Sequence, residues 1–454
     1  MEKSDFGAQE RLCEYIKAEM KRLMIPGVSL GIVNEGSSVT RFFGITSTEN
    51  PLEVGERTLF QIGSITKTFT GTLIMMLAEE GKIGLDEPVR SYIPDFCVAD
   101  PEASEGATIR HLLTHTGGWS GDYFEDTGGE DALGRYVRGM ADLEQLAPLG
   151  FGFSYNNAGF AVAGGIIEIV TGKRYSQALR EMVLEPLGVE TCYFGPEMVM
   201  TKRFAVGHRA STEKAEVQRP WPLPPYANPI GGIACHIRDL LTYARFHLGD
   251  GLTESGARLL QPDSLKEMHS PAISVWGKEG WGLPFSVDDT HGFREVSHGG
   301  GTLGQTSLLV LVPERGFAFA MLTNADRGST LCRKSANRAY HEYLGIEVED
   351  PKPIESSEEE LLAFVGKYKR PFAELEIGLL GGRLAVQVTQ KKGFPKEDSP
   401  LPPLPPPMSL ARCEPDRLLV QDGPMADSLV DAIRSEDGSV GWVRWAGRLH
   451  RRCQ

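Results

Sequence analysis

FQIGSITKTFTGTLIMMLAEE, residues 60–80, is the stretch on which the reading of this chain turns. Threonines and apolar residues run on from Ser64 to Glu80, and Gly81 stops them, which predicts one long helix. Ser64 and Lys67 are three residues apart, almost one turn, so the hydroxyl and the ammonium share a face and can meet. A helix N-terminus also offers unpaired N–H groups and the positive end of the peptide dipole. The backbone N–H of Ser64 can therefore face a developing oxyanion. Serine is a poor nucleophile until a base takes its proton, and a neutral lysine can do that. Alone, the S-x-x-K pattern is weak, because a serine cap followed by an unrelated lysine reads the same way.

Two later segments add to it. Phe153-Ser154-Tyr155-Asn156-Asn157 contains a Y-x-N. A phenol held near an ammonium can shuttle a proton, and the Asn157 amide can orient both the lysine and a substrate acyl group. Read blandly, the same residues are good turn chemistry. His298-Gly299-Gly300-Gly301 lies just before a strand-like run. Its glycines let a substrate backbone approach closely, and the Gly301 N–H can serve as a second oxyanion donor. His111 and His115 have a zinc-compatible i, i+4 spacing, but they lack the glutamate of H-E-x-x-H and a third ligand, so no metal site is expected. Gly118-Trp119-Ser120-Gly121-Asp122 is not a G-x-S-x-G elbow, which removes the α/β-hydrolase reading.

The 454 residues are 41% hydrophobic, with 47 basic against 61 acidic side chains and a formal charge of -14. That length calls for a large domain and a smaller one. An acidic surface repels phosphate backbones and anionic lipid, so neither nucleic acid nor a membrane is expected as a partner. No apolar run reaches the roughly 18 residues of a membrane span. The opening MEKSDFGAQERLCEYIKAEM lacks the basic and apolar regions of a secretory signal, so a cytoplasmic location is expected. Seven widely spaced cysteines, odd in number and without C-x-x-C, read as free thiols.

Periodicity predicts a helix over 9–23, strands over 27–33 and 40–45, and a mixed middle over roughly 85–290 with helices at 158–171 and 175–183. Strand-like runs return at 294–297, 306–311 and 317–323, and a helix near 329–344 follows. This predicts an α/β domain over 1–345. Its antiparallel sheet is built from both chain ends, flanked by helices, with a helical region inserted. Around 346–360 the composition shifts to the acidic, proline-containing linker EVEDPKPIESSEEE, in which Ser357 and Glu360 form a plausible capping box. Short alternating runs such as 374–377, 383–388, 417–420 and 440–445 then predict a small antiparallel β domain over 361–454. The segment SPLPPLPPPMS, 399–409, must be polyproline II or disordered, because proline cannot donate to a ladder. It is expected either to project toward an active-site entrance or to remain a surface loop.

Taken in order, S-x-x-K, Y-x-N and a late glycine motif resemble the pattern of class C β-lactamases and their penicillin-binding-protein relatives. Thr108-Ile109-Arg110-His111-Leu112-Leu113-Thr114-His115-Thr116-Gly117-Gly118 is similar to a signature segment of that family. So are Leu85-Asp86-Glu87-Pro88-Val89, Glu185-Pro186-Leu187-Gly188, and Gly231-Gly232-Ile233 followed by Arg238-Asp239-Leu240. The resemblance covers about 10–345 and implies a β-lactamase/transpeptidase-like fold and a serine hydrolase. In that reading Ser64 attacks the carbonyl, and Lys67 and Tyr155 share the base and acid duties. Asn157 orients lysine and substrate. His298, Gly300 and Gly301 line the substrate side, and the N–H groups of Ser64 and Gly301 form the oxyanion hole. An acyl-Ser64 ester is then hydrolysed by water, with no metal and no cofactor. The tail is similar to the lipocalin-like barrel appended to some of these hydrolases, through Phe364-Val365-Gly366-Lys367-Tyr368 and Trp445-Ala446-Gly447-Arg448-Leu449-His450-Arg451-Arg452.

One departure bears on the substrate. The β-lactamase third motif usually begins with lysine, as K-T-G, where this chain has His298-Gly299-Gly300. A mostly neutral imidazole holds a drug's carboxylate less well than an ammonium. Branches with histidine there resemble esterases, D-amino-acid amidases and related peptidases. Small esters, amides or short peptides are therefore the expected substrates. β-Lactamase or D-Ala-D-Ala carboxypeptidase activity is the alternative. A catalytically silent binding protein on this scaffold is a further one, whose mark would be loss of Ser64, Lys67 or Tyr155. Assembly into a homo-oligomer is compatible with all three.

Overall fold

Seven of the eight residues of strand Gly27–Asn34 are buried, a run that needs cover on both faces and both edges. The edges are covered by antiparallel pairing with Ser37–Gly44 on one side and Phe317–Thr323 on the other, where Val28 sits opposite Thr323. The sheet continues through Thr306–Val312, Glu295–Gly301, Ser286–Asp288, Glu279–Trp281 and Ile273–Trp276, eight strands in all. On one face, helices Lys3–Leu23 and Gly328–Ala339 bring Leu12, Ile16 and Leu331 against Leu30, Ile32, Phe319 and Met321. Helix Ile237–Leu248 covers the other, its Ile237 and Leu241 lying against Gly31. The sheet expected from both ends of the domain is therefore present.

The computed structural model describes residues 3–124, 128–129, 131–221 and 223–453. They form two compact units, each assembled from three segments. The first takes Met1–Glu87, Thr127–Tyr136 and Phe160–Val348, and the second Pro88–Asp126, Val137–Gly159 and Glu349–Gln454.

In the first unit, the helix expected from Ser64 starts differently. Gly63–Ile65 is a 3-10 turn, and the α-helix runs Thr66–Glu79 with eleven residues buried. A helix buried nearly all round must satisfy its polar side chains internally. Thr68 donates to the Ile65 carbonyl, Thr70 to that of Pro229, and Thr72 to that of Thr68. A small sheet of Phe60–Gln61, Ile233–Cys235 and Tyr193–Phe194 supports the chain just before the turn. The helix expected near 329–344 is α-helical over Gly328–Ala339 and ends in a π turn, Tyr340–Leu344, where the Tyr340 hydroxyl donates to buried Glu295 at 2.5 Å.

In the second unit, eight antiparallel strands close into a barrel: Gly366–Arg370, Ala373–Leu380, Arg383–Gln390, Met408–Glu414, Arg417–Val420, Leu429–Arg434, Val440–Trp445 and Arg448–Cys453. Closure is made by the last strand against the first, with Tyr368 opposite Arg452. Alternate residues fill the interior, among them Tyr368, Leu375, Ile377, Val386, Leu418, Val430 and Val443. The Ser357 box forms as expected. Ser357 Oγ accepts from the Glu360 N–H at 3.3 Å, and the Glu360 carboxylate accepts from the Ser357 N–H at 2.8 Å. Residues 400–407 form no regular element between two strands that pair directly, Leu384 opposite Leu410. The same unit holds two short helices, Pro101–Gly106 and Ile109–Leu113, capped by the Asp100 and Thr108 side chains.

Candidate active site

The turn carrying Ser64 is fixed by backbone bonds on both sides. The Ile62 N–H donates to the Ile233 carbonyl at 3.0 Å, and Ser307 Oγ donates to the Ile62 carbonyl at 2.7 Å. Gly63 has φ +50, and a Cβ there would lie 2.6 Å from the Gly301 nitrogen. A Cβ on Gly300 would lie 2.0 Å from the Ile62 oxygen. Only glycines at both places let strand Glu295–Gly301 pass this close to the turn. The Gly301 backbone is thereby brought to the residue preceding Ser64.

Lys67 follows one turn later and has no exposed surface. Its ammonium donates to Ser64 Oγ at 3.1 Å and to the Ile230 carbonyl at 2.8 Å, and lies 5.6 Å from the centre of the Phe160 ring. Ser64 itself is half-buried. A serine hydroxyl bonded to a sequestered lysine, with backbone N–H groups alongside, is equipped for nucleophilic attack on a carbonyl. His298 lies on the glycine-motif strand, buried, with the edge of Trp281 against its ring at 5.5 Å. Its Nδ1–H donates to the Gly299 carbonyl at 2.6 Å. Burial first, then the charge of Lys67, push its pKa down to about 3 against the pull of that carbonyl, so it is neutral at pH 7.

Tyr155 and Asn157 belong to the second unit, where the Y-x-N segment is held by residues from both of its neighbours. From one side, His115 accepts the Asn156 N–H on Nδ1 at 3.0 Å, takes the Ser154 N–H on its carbonyl at 2.9 Å, and lays its ring 4.3 Å from that of Tyr155. His111 caps its helix through Thr108. The two histidines that showed zinc spacing are thus both engaged in local hydrogen bonds. From the other side come barrel residues. The Gly447 carbonyl accepts the Tyr155 N–H at 2.8 Å, the Leu449 N–H donates to Ser154 Oγ at 3.2 Å, and Arg444 Nε donates to the Phe153 carbonyl at 3.1 Å. The Arg448 guanidinium lies 5.0 Å from the centre of the Tyr155 ring.

Sequence reasoning missed Asp122, which accepts from Asn157 Nδ2 at 3.0 Å and from Arg370 and Arg448, each at 2.7 Å. Burial raises its pKa, but the charges of Arg448 and Arg370, with hydrogen bonds from Arg448 and Asn157, outweigh that and hold it down to about 2. Ile230 was missed as well, because it contributes only a carbonyl, which no side-chain pattern announces.

The Beta-lactamase family profile matches residues 13–342. Penicillin-binding protein 4 of Amycolatopsis lactamdurans is 31% identical over 356 residues, covering 76% of this chain and 93% of that protein. The unguisins hydrolase ungD' of Aspergillus campestris is 27% identical over 336 residues, 70% of this chain and 61% of that protein. Among solved structures, SurE aligns at TM-score 0.77 and 24% identity over 99% of this chain and 100% of that one. An octameric penicillin-binding protein homologue from Pyrococcus abyssi aligns at 0.65 and 24%, over 97% of this chain and 99% of that one. A class C β-lactamase from Rhodobacter sphaeroides aligns at 0.61 and 19%, over 74% of this chain and 98% of that one. With the family profile matched along most of its length, and a relative of this identity over three quarters of it, the chain belongs to the β-lactamase family of serine hydrolases.

Proposed function

We propose that this protein forms an acyl-enzyme on Ser64 and hydrolyses esters, aminoacyl amides or short peptides rather than β-lactams. The observation that carries the reading is the 3.1 Å hydrogen bond between the Ser64 hydroxyl and the fully buried Lys67 ammonium. Lys67 in its neutral form takes the Ser64 proton as Oγ attacks the carbonyl carbon. The N–H groups of Ser64 and Gly301 receive the oxyanion. Collapse of the tetrahedral intermediate breaks the bond to the leaving group, which departs with that proton. Water then attacks the ester, and the same groups act in reverse. The Y-x-N of the family pattern assigns Tyr155 as a second proton carrier and Asn157 as the amide that receives the acyl chain.

The substrate class follows from His298. A side chain that is neutral at pH 7 gives a carboxylate no ionic partner. A relative named an unguisins hydrolase supports hydrolysis, and the SurE structure with D-Leu supports acyl groups that include D-residues. The octameric homologue supports self-assembly. The test is a panel of p-nitrophenyl esters, D- and L-aminoacyl anilides and a chromogenic cephalosporin, run beside fluorophosphonate labelling and peptide mapping. Label on Ser64, with turnover and label both lost in Ser64→Ala, is expected. Label on any other serine overturns the assignment, and a cephalosporin kcat/KM above that of the best ester overturns the substrate class.

A further inference from the structure

Two buried ion triads in the second unit converge on one short segment. In the first, Asp122 takes the Arg448 fork at 2.7 and 3.1 Å and Arg370 at 2.7 Å, with its side chain 4% exposed. In the second, Asp431 takes Arg417 at 2.9 Å and Arg444 at 2.6 Å. Each triad then reaches the Y-x-N segment. Asp122 accepts from the Asn157 amide, Arg448 lies against the Tyr155 ring, and Arg444 donates to the Phe153 carbonyl. The Gly447 carbonyl completes the grip on the Tyr155 N–H.

Packing alone does not explain this arrangement. Apolar side chains of similar volume fill such space without the desolvation cost of buried charges. What charged forks add is direction: a bidentate guanidinium fixes its partner in angle as well as in distance. The first triad reaches two side chains of the motif: Asp122 takes the Asn157 amide directly, and Arg448, on the barrel's last hairpin, lies against the Tyr155 ring. Trp445 and Arg448 are paired across a tight turn made by Ala446 at φ 48 and Gly447 at φ 75. That turn brings the Gly447 carbonyl and the Arg448 guanidinium to the same place.

We infer that Asp122, Arg370 and Arg448 are positioning residues for the reaction: the barrel's final hairpin, locked onto the Asp122 carboxylate, sets the placement of the Tyr155 phenol and the Asn157 amide. The inference rests on the reading of those two residues as parts of the catalytic machinery. It makes the barrel a component of the hydrolase rather than an appendage.

The experiment uses the full-length protein and its best ester substrate, with Asp122→Asn, Arg448→Met, Arg448→Lys and Arg370→Gln, and Lys367→Gln as a control on the exposed barrel wall. kcat, KM and thermal midpoint are measured for each. A displaced catalytic group lowers kcat more than KM, and a misplacement near 1 Å costs on the order of 10²-fold. Asp122→Asn and Arg448→Met should therefore lose about that factor in kcat. Arg448→Lys, which keeps the charge but not the fork, should recover thermal stability without recovering kcat, and Lys367→Gln should match the wild type. If Asp122→Asn fails to fold, Arg448→Met and Arg370→Gln decide, since each leaves one guanidinium on the carboxylate. A folded Arg448→Met with wild-type kcat overturns the inference. Failure of all three to fold assigns the cluster to stability and overturns it equally. Wild-type protein that takes no fluorophosphonate on Ser64 refutes the functional reading instead.

Discussion

Mild acid should destabilise this protein through its buried histidines. The perturbation is a pH change from 7 to 5, and the groups that respond are buried histidines. His269 lies against His247 with a 3.0 Å hydrogen bond between their rings, and burial first, then the charge of Arg294, lower its pKa to about 4. His298 is held at about 3 and, in the barrel, burial with the charges of Arg370 and Arg448 puts His450 at about 3. The unfolded chain has these groups at about 6.5. The folded state keeps them neutral while the unfolded state binds the proton. Their stabilisation is therefore complete above the unfolded value and drains away as pH falls toward the folded one. Each contributes a slope of about 1.4 kcal/mol per pH unit once pH is well below 6.5. With His269 and His298 in one unit, the loss there approaches about 3 kcal/mol per pH unit, a large share of an ordinary 5–15 kcal/mol. Asp122, held at about 2, is ionised throughout this window and loses its stabilising contribution only below it. The assay is the urea midpoint by near-ultraviolet circular dichroism at pH 7.5, 6.5, 5.5 and 5, for wild type and His269→Gln. The variant should lose about 1.4 kcal/mol per pH unit of the slope. A wild-type midpoint that stays level from 7 to 5, or an identical slope in the variant, refutes the reasoning.

Lys67→Ala and Tyr155→Phe should each lower kcat by about 10²–10⁴-fold, measured under single turnover, with normal rates in Tyr155→Phe excluding the phenol. Gly300→Ala drives a Cβ into the Ile62 carbonyl. It should displace the Ser64 turn and cost about 1–3 kcal/mol in chemical denaturation, along with most of the activity. His298→Lys should raise activity on carboxylate-bearing β-lactams relative to esters, and an unchanged ratio would remove His298 as the basis of the substrate preference.

What the sequence disclosed was local, or set by pattern. The three-residue step from Ser64 to Lys67 is a helical repeat, and the 3.1 Å bond follows from it. Alternation announced the barrel strands, and Ser357 with Glu360 announced a cap. The start of the helix was misjudged because Gly63, at φ +50, tightens the chain into a 3-10 turn first. The helix expected near 329–344 is present, and its last turn widens to a π turn, a change of hydrogen-bond register that side-chain pattern does not record. Asp122 escaped altogether. A lone aspartate in a glycine-containing loop reads as solvated, and its partners, Arg370 and Arg448, stand 248 and 326 residues away. Trp445–Arg452 was recognised as the end of a barrel, yet nothing in that string says which loop its arginine will hold.

The pairing of Gly27–Asn34 with Phe317–Thr323 bears on how the protein is made. A ribosome delivers the first strand early and its central partner about 300 residues later, so at about 5–20 residues per second the strand waits some tens of seconds. Through that wait an apolar strand has only Ser37–Gly44 to pair with, and an unpaired edge of this kind invites aggregation. The Tyr155 segment waits about as long, until Arg448 has left the exit tunnel. Neither the sheet nor the barrel can complete its pairing until its late strands have been made.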